Sequence, residues 1–268
     1  MIGTFVTRLT EARHDIKDPR FIRQIAWVAA FWVVAVVIII LNIEFLTTNY
    51  SDAVRPDDLL LDIIPETKAF IVIGDILSAL QVLTVFGVFF IWQRSIRRLP
   101  HLLFLLGLMY IIRAFVINLT PLAQIQPPSE NFPEQHIIAQ TFYHGMYFSG
   151  HTASAFIQAF FFRGYRHRWL IFVLASGQAF ALIASHSHYT IDVVGGFFIA
   201  YYVVNVDWLK VLPPSLQTAA WAPWYQPVAV EAVATTDVAA NGNGRTPSPA
   251  APPLSPQPQP ESQPELPT

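Results

Sequence analysis

Residues 23–45 read RQIAWVAAFWVVAVVIIILNIEF, a run in which only Gln24 and Asn42 interrupt the apolar side chains between Arg23 and Glu44. About 20 consecutive apolar residues are what a helix needs to cross the hydrocarbon layer of a membrane. Working outward from this stretch, comparable windows recur at approximately Ala69–Trp92, His101–Thr120, His144–Phe162, Trp169–Ala184 and Tyr189–Val206. The last two are short and separated by only a few polar residues. The expected fold is an all-α integral membrane protein of six transmembrane helices. Polar residues precede the first window and no small-residue cleavage site follows it, so it reads as a retained span.

Composition agrees. Of 268 residues, 53% are hydrophobic and 13% charged, with a net charge of −2. A typical soluble domain carries about 25% charged residues. The near-neutral balance offers no broad basic surface, which excludes nucleic acid as a partner. With no cysteine, disulfide frameworks, thiolate metal sites and cysteine nucleophiles are excluded as well.

The positive charges are placed asymmetrically. Arg8, Arg13, Lys17, Arg20 and Arg23 precede or open the first window; Arg94, Arg97 and Arg98 follow the second; Arg163, Arg166 and Arg168 follow the fourth. Adding Lys210 and Arg245, 13 of the 16 Lys and Arg residues fall on one side of a six-span chain. The intervening connections are acidic, with Asp52, Asp57, Asp58, Asp62 and Glu66 in one and Glu130 and Glu134 in another. By the positive-inside rule the basic ends and both termini face the cytoplasm. Three regions result: a cytoplasmic segment over residues 1–20, with Ile2–Asp18 as a candidate surface amphipathic helix; a six-span membrane domain over 21–208; and a tail over 209–268. The tail reads as disordered, because 13 of the 21 prolines lie in the last 56 residues.

Three polar groups break the apolar pattern, and this topology sends all of them to the outer face. They are Ser149-Gly150-His151-Thr152, the stretch from His186 to Asp192, and Arg113 with Tyr110 one turn before it. Residues four apart share a helix face, so His188 and Asp192 can touch. A carboxylate fixes one imidazole tautomer and leaves the other nitrogen a better base or nucleophile, although the same spacing also serves stability alone. Histidine and aspartate within spans are costly and usually mark sites. Both histidine motifs open helices, whose unpaired amides favour a phosphate, and Gly150 permits close approach. The Arg113 guanidinium suits phosphate oxygens; an ion pair with Asp75 is the structural alternative. His136 and His144 lack a carboxylate at helical spacing, and His101 and His167 read as anchors on the cytoplasmic side. His186 and His188 have no further ligands at fixed spacing, so no metal is expected.

At these residues the sequence resembles the sphingomyelin synthase family within the type-2 phosphatidic acid phosphatase superfamily. Ser149-Gly150-His151-Thr152 is similar to its Ser-Gly-His-Thr box, and His188-Tyr189-Thr190-Ile191-Asp192-Val193 to its His-Tyr-Thr-x-Asp-Val box. Tyr110, Arg113 and Thr120 reproduce its Tyr-x2-Arg-x6-Thr spacing, and the likeness spans roughly residues 55 to 207. The sequence departs where Arg97-Arg98 stands farther from Tyr110, where Tyr143-His144-Gly145 replaces Cys-Gly-Asp, and where Phe197 replaces a tyrosine. These changes surround the catalytic groups and bear on the substrate more than on the chemistry. The resemblance implies a lipid phosphotransferase acting on membrane lipids without a cofactor. In it, His188 is the nucleophile, Asp192 its partner and His151 the acid and base. Arg113, Tyr110, Ser149, Gly150 and Tyr189 hold the phosphoryl group and substrate. The active site faces the exoplasmic or periplasmic side, with the plasma membrane as the expected location. The superfamily's lipid phosphatases carry an arginine shortly before the second histidine, and none stands between Arg168 and His188, which favours transfer over hydrolysis. A phosphatase using water and a non-enzymatic transporter are the alternatives; nearly apolar inner halves argue against a transport pathway.

The charge asymmetry makes a direct prediction. In this cysteine-free chain, single cysteines at Ser95 and Ser129 should react oppositely with an impermeant thiol reagent on intact cells, Ser129 labelling and Ser95 not. The reverse pattern would overturn the orientation.

Overall fold

The computed structural model describes residues 2–49, 54–123, 125 and 147–208. Among them the chain is all-helical. Helix α1 covers Ile2–Ile16 and α2 covers Pro19–Asn49. Asp18 separates the two, its carboxylate accepting from the Arg20 amide at 2.9 Å while Pro19 takes the first helical position, where its missing N–H costs nothing. A short α3, Leu59–Ile63, precedes α4, Ala69–Thr84, which runs on as a π-helical segment over Val85–Trp92. The Phe89 carbonyl near its end accepts from Ser95 Oγ at 2.7 Å. After a 3-10 turn at Ile96–Arg98 come α5, Leu99–Leu119, then α6, Gly150–Phe161, α7, Arg168–Ala184, and α8, Thr190–Asn205.

Among the described residues three segments are long and apolar enough to cross a membrane: Pro19–Leu46, Ala69–Trp92 and Ile96–Leu119. Arg168–Ala184 and Thr190–Asn205 are apolar but shorter. Within the expected fourth window, His144–Phe162, the described residues 147–149 are not helical and the helix begins at Gly150, because Ser149 has extended backbone and caps it there. His136, His144 and the expected tail lie outside the described residues.

Packing explains the short helix. Nine of the twelve residues of α6 are buried, and α6 is enclosed by α5, α7 and α8, while α4 lies along α7 and α2 along α5. Its Phe161 end joins an aromatic core in which the Phe89 and Phe162 rings lie tilted with centroids 4.6 Å apart and Phe90 meets Phe162 edge-on at 5.4 Å. Polar side chains inside the bundle tie helices through backbone carbonyls, as an apolar interior requires. Gln81 Nε2 donates to the Ala155 carbonyl at 2.8 Å, Asn42 Nδ2 to that of Ala114 at 2.5 Å, and Trp32 Nε1 to that of Leu103 at 2.9 Å.

The two ends of the bundle differ in charge. At one end α1 clips onto the turn after the π segment through Arg94–Glu11 and Arg97–Asp15 ion pairs, and Arg98 lies over the Phe161 ring at 5.0 Å. These are the basic connections singled out by the sequence. The opposite end gathers residues 54–68, 120–123, 147–151 and 184–190.

At that end α6 and α8 meet closely. A Cβ on Gly196 would lie 2.8 Å from the Ser149 carbonyl oxygen and 3.2 Å from the Ala153 nitrogen, both fixed backbone atoms. Only a residue without a side chain fits, the device that lets apolar helices approach closely. Gly196→Ala should therefore push α6 from α8, destabilise by about 1–3 kcal/mol as overpacking does, and reduce turnover by more than the thermal shift explains. Unfolding in detergent with parallel activity assays measures both, and a variant matching the parent in both would remove this contact from the account.

Candidate active site

The Ser149 side chain builds the first half of the site. Its hydroxyl oxygen accepts from the Thr152 amide at 3.2 Å and so starts α6, setting His151 in the first turn. Its own backbone N–H donates to the Asp192 carbonyl at 2.9 Å. The two histidine motifs are thus hydrogen-bonded to each other through their main chains.

The second half is the turn between α7 and α8. His188 precedes the cap residue Tyr189, and α8 proper begins at Thr190, so His188 reaches Asp192 from just outside the helix rather than along a helix face. The two approach at 3.5 Å, His188 Nδ1 to Asp192 Oδ2. That same Oδ2 accepts from the Tyr189 amide at 3.2 Å. Asp192 is fully buried and His188 is 6% exposed. His188 Nδ1 and Asp192 Oδ1 have no hydrogen-bond partner among the described residues. A contact of 3.5 Å is loose for a hydrogen bond, and catalytic pairs commonly tighten only when substrate is bound. Burial, with the Arg113 charge second, holds the His188 imidazole well below its usual range, so the ring is neutral at pH 7.

His151 completes the pair. Its ring lies 6.2 Å from that of His188, edge to face, and in contrast to buried His188 it is exposed. Arg113 enters from α5, its Nε donating to the Phe148 carbonyl at 2.9 Å, which anchors the residues just before Ser149. Space beside Gly150 is taken by Arg113 and Tyr110: an added Cβ would meet Arg113 Nε at 3.4 Å and Tyr110 Cε1 at 3.6 Å. These are ordinary van der Waals distances, so both side chains pack directly against the start of α6. Tyr110 in turn leans on Trp32, ring centroids 5.7 Å apart.

All eight residues singled out in the sequence lie at this end, in differing situations. His151, His188 and Asp192 form one cluster, with Arg113, Tyr110 and Gly150 against its flank. The Ser149 hydroxyl is engaged as a helix cap, and the Tyr189 hydroxyl donates to the Ala123 carbonyl at 3.2 Å, holding the chain after α5. His186 has left-handed backbone, φ 54°, and its Nε2 is 2.8 Å from the Ile64 carbonyl. Among the described residues no three or more His, Asp or Glu side chains are grouped to hold a metal ion.

Gly196, Thr190 and Asp58 hold places at the site that motif spacing does not assign to them. The Gly195-Gly196 pair inside an apolar helix was a legible sign of close packing. Asp58 has no such signal, since it acts 132 residues away, on Thr190. Burial disfavours its charged form, but hydrogen bonds from the Thr190 amide and hydroxyl and the Leu60 and Leu61 amides outweigh this and hold its carboxyl below the usual range. It is therefore ionised at neutral pH.

At one end of the apolar helical bundle a buried His–Asp pair thus lies beside a second histidine and an arginine. The family model described as PAP2 superfamily C-terminal matches residues 146–209. This stretch includes both histidine motifs and α6 to α8, and it supports the type-2 phosphatidic acid phosphatase superfamily and a membrane enzyme of the lipid phosphatase or phosphotransferase type. No curated protein matches the chain.

Arg113→Lys keeps the charge but cannot reproduce the fixed fork. Because a hydrogen bond involving a charged group contributes about 1.5–3 kcal/mol, turnover should fall roughly tenfold to a hundredfold while the protein still folds. Unchanged turnover in the purified variant would take Arg113 out of the site.

Proposed function

We propose that this protein is an integral-membrane lipid phosphotransferase of the sphingomyelin synthase-like kind, moving a phospholipid headgroup phosphoryl unit to a lipid alcohol of the ceramide or diacylglycerol type. The observation that carries this reading is the pairing of His151 and His188 at 6.2 Å with Asp192 behind His188 at 3.5 Å. Near-attack distances of about 3–3.5 Å on each side fit one phosphorus between the rings. The chain crosses the membrane six times, with both termini cytoplasmic and this site on the exoplasmic or periplasmic face of the plasma membrane.

In the first half-reaction the Nδ1–H of His188 is held toward Asp192, and Nε2 attacks the phosphorus of the donor diester. The bond from phosphorus to the diacylglycerol oxygen breaks, His151 delivers a proton to that oxygen, and a phosphohistidine carrying the headgroup remains. In the second, His151 removes the proton of the acceptor alcohol, whose oxygen attacks phosphorus as the P–N bond breaks and His188 is restored. Burial of His188 suits a nucleophile kept from water, and exposure of His151 suits a group that must meet both leaving and entering oxygens. Arg113 and the amides at the start of α6 stabilise the developing charge. Water in place of the alcohol would make the same site a phosphatase, the second reading favoured by the superfamily match.

Chromatography of lipids from membranes given fluorescent ceramide, fluorescent diacylglycerol and labelled phospholipids separates transfer from hydrolysis. His188→Ala should be inactive. Asp192→Asn should lose roughly 10⁴-fold, as in a comparable His–Asp pair. His151→Ala should recover partly on a nitrophenyl phosphate ester, whose leaving group needs no proton, and His188→Ala should not. Acid-labile phosphate should be trapped on the parent and not on His188→Ala. Near-normal turnover by His188→Ala alongside an inactive His186→Ala would refute the assignment.

A further inference from the structure

The strap over residues 58–67 reaches the turn that carries His188 at three points. The Thr67 amide donates to the Ala184 carbonyl at 3.1 Å, the Ile64 carbonyl meets His186 Nε2 at 2.8 Å, and Asp58 grips Thr190. The last is the strongest. Asp58 Oδ2 accepts from the Thr190 amide at 2.5 Å, and Oδ1 accepts from the Thr190 hydroxyl at 2.8 Å. Oδ1 also accepts from the Leu60 amide at 3.0 Å, so one carboxylate starts α3 and α8 together.

The first amides of a helix have no partner within it. The cap residue of α8 is Tyr189, whose hydroxyl is turned to the Ala123 carbonyl. Asp192 satisfies the Tyr189 amide, and the next amide, that of Thr190, is satisfied from a different part of the chain. A carboxylate at this position is favoured by the helix dipole and by charge-assisted bonding. Thr190 lies midway between His188 and Asp192, two residues from each, so whatever fixes Thr190 fixes the geometry of that pair.

We propose that Asp58 is a positioning residue for the catalytic turn: its two-oxygen grip on Thr190 caps α8 from the strap and holds His188 in register with Asp192 and His151. The proposal rests on the reading of His188 as nucleophile. Without the grip the turn keeps its sequence and its fold but loses the fixed aim of the imidazole. The loss should fall on the rate of the bound complex and leave substrate binding largely unchanged, because Asp58 touches α3 and α8 rather than the space between the histidines.

The test uses the purified full-length protein in detergent with a fluorescent phospholipid donor, ceramide and diacylglycerol as acceptors, and a nitrophenyl phosphate ester. Asp58→Ala should lower kcat about tenfold to a hundredfold, the range for losing charge-assisted hydrogen bonds, with KM within about twofold. Asp58→Asn, which keeps one acceptor, should fall between. Thr190→Ser should stay near the parent and Thr190→Val should not. The Asp58→Asn/Thr190→Val double variant should be no worse than the weaker single, as for two ends of one interaction. Hydrogen exchange in the peptide spanning 186–192 should quicken in Asp58→Ala while α2 and α5 peptides stay unchanged. Parent-like kcat in Asp58→Ala would overturn the proposal, as would exchange that rises equally throughout the chain. If the parent turns over neither substrate, the His188 reading fails; the exchange data then decide the grip alone, selective loosening supporting it and unaltered exchange overturning it.

Discussion

The contact between Gly196 and the Ser149 carbonyl is the constraint on which the rest of the site depends. A side chain at residue 196 would put Cβ 2.8 Å from that oxygen, so the absence of one sets how near α6 and α8 can lie. That approach allows the Ser149 amide to bond the Asp192 carbonyl at 2.9 Å, locking two motifs far apart in sequence into one backbone unit. The 6.2 Å spacing of the histidine rings follows, because each ring is carried within two residues of that locked backbone or its caps.

Around this unit, support comes from polar atoms that would be costly if left bare in an apolar bundle. Arg113 secures Phe148, Tyr189 secures Ala123 and Asp58 secures Thr190. Each bond satisfies a main-chain carbonyl or a helix-start group and, in doing so, immobilises a residue next to the site. The buried atoms His188 Nδ1 and Asp192 Oδ1, which lack a hydrogen-bond partner among the described residues, fall at the centre of this framework. Unsatisfied buried groups are rare in folded proteins.

The two ends of the bundle divide the work. One holds the basic turns, the ion pairs of α1 and the aromatic core, and contributes anchoring. The other is stitched by backbone and side-chain hydrogen bonds between short irregular segments. Irregular backbone at the end of a membrane bundle is tolerable where it is covered by protein or lines a polar cavity, and functional groups commonly lie on such segments held by a rigid scaffold.

The sequence by itself determined the apolar helical character, the charge asymmetry of the connections and the choice of His151, His188, Asp192 and Arg113 as candidates, because each is a local property: run length, residue type or spacing. Spacing also suggested that His188 and Asp192 meet, although it placed both on a helix that in fact begins two residues after His188. Tertiary structure alone decided that α6 starts at Gly150, that Arg113 and Tyr110 pack beside that residue, and that Asp58 accepts from Thr190 at the start of α8. Those outcomes depend on which atoms arrive beside one another from distant parts of the chain, and neither hydrophobic period nor motif spacing encodes a partner 132 residues away.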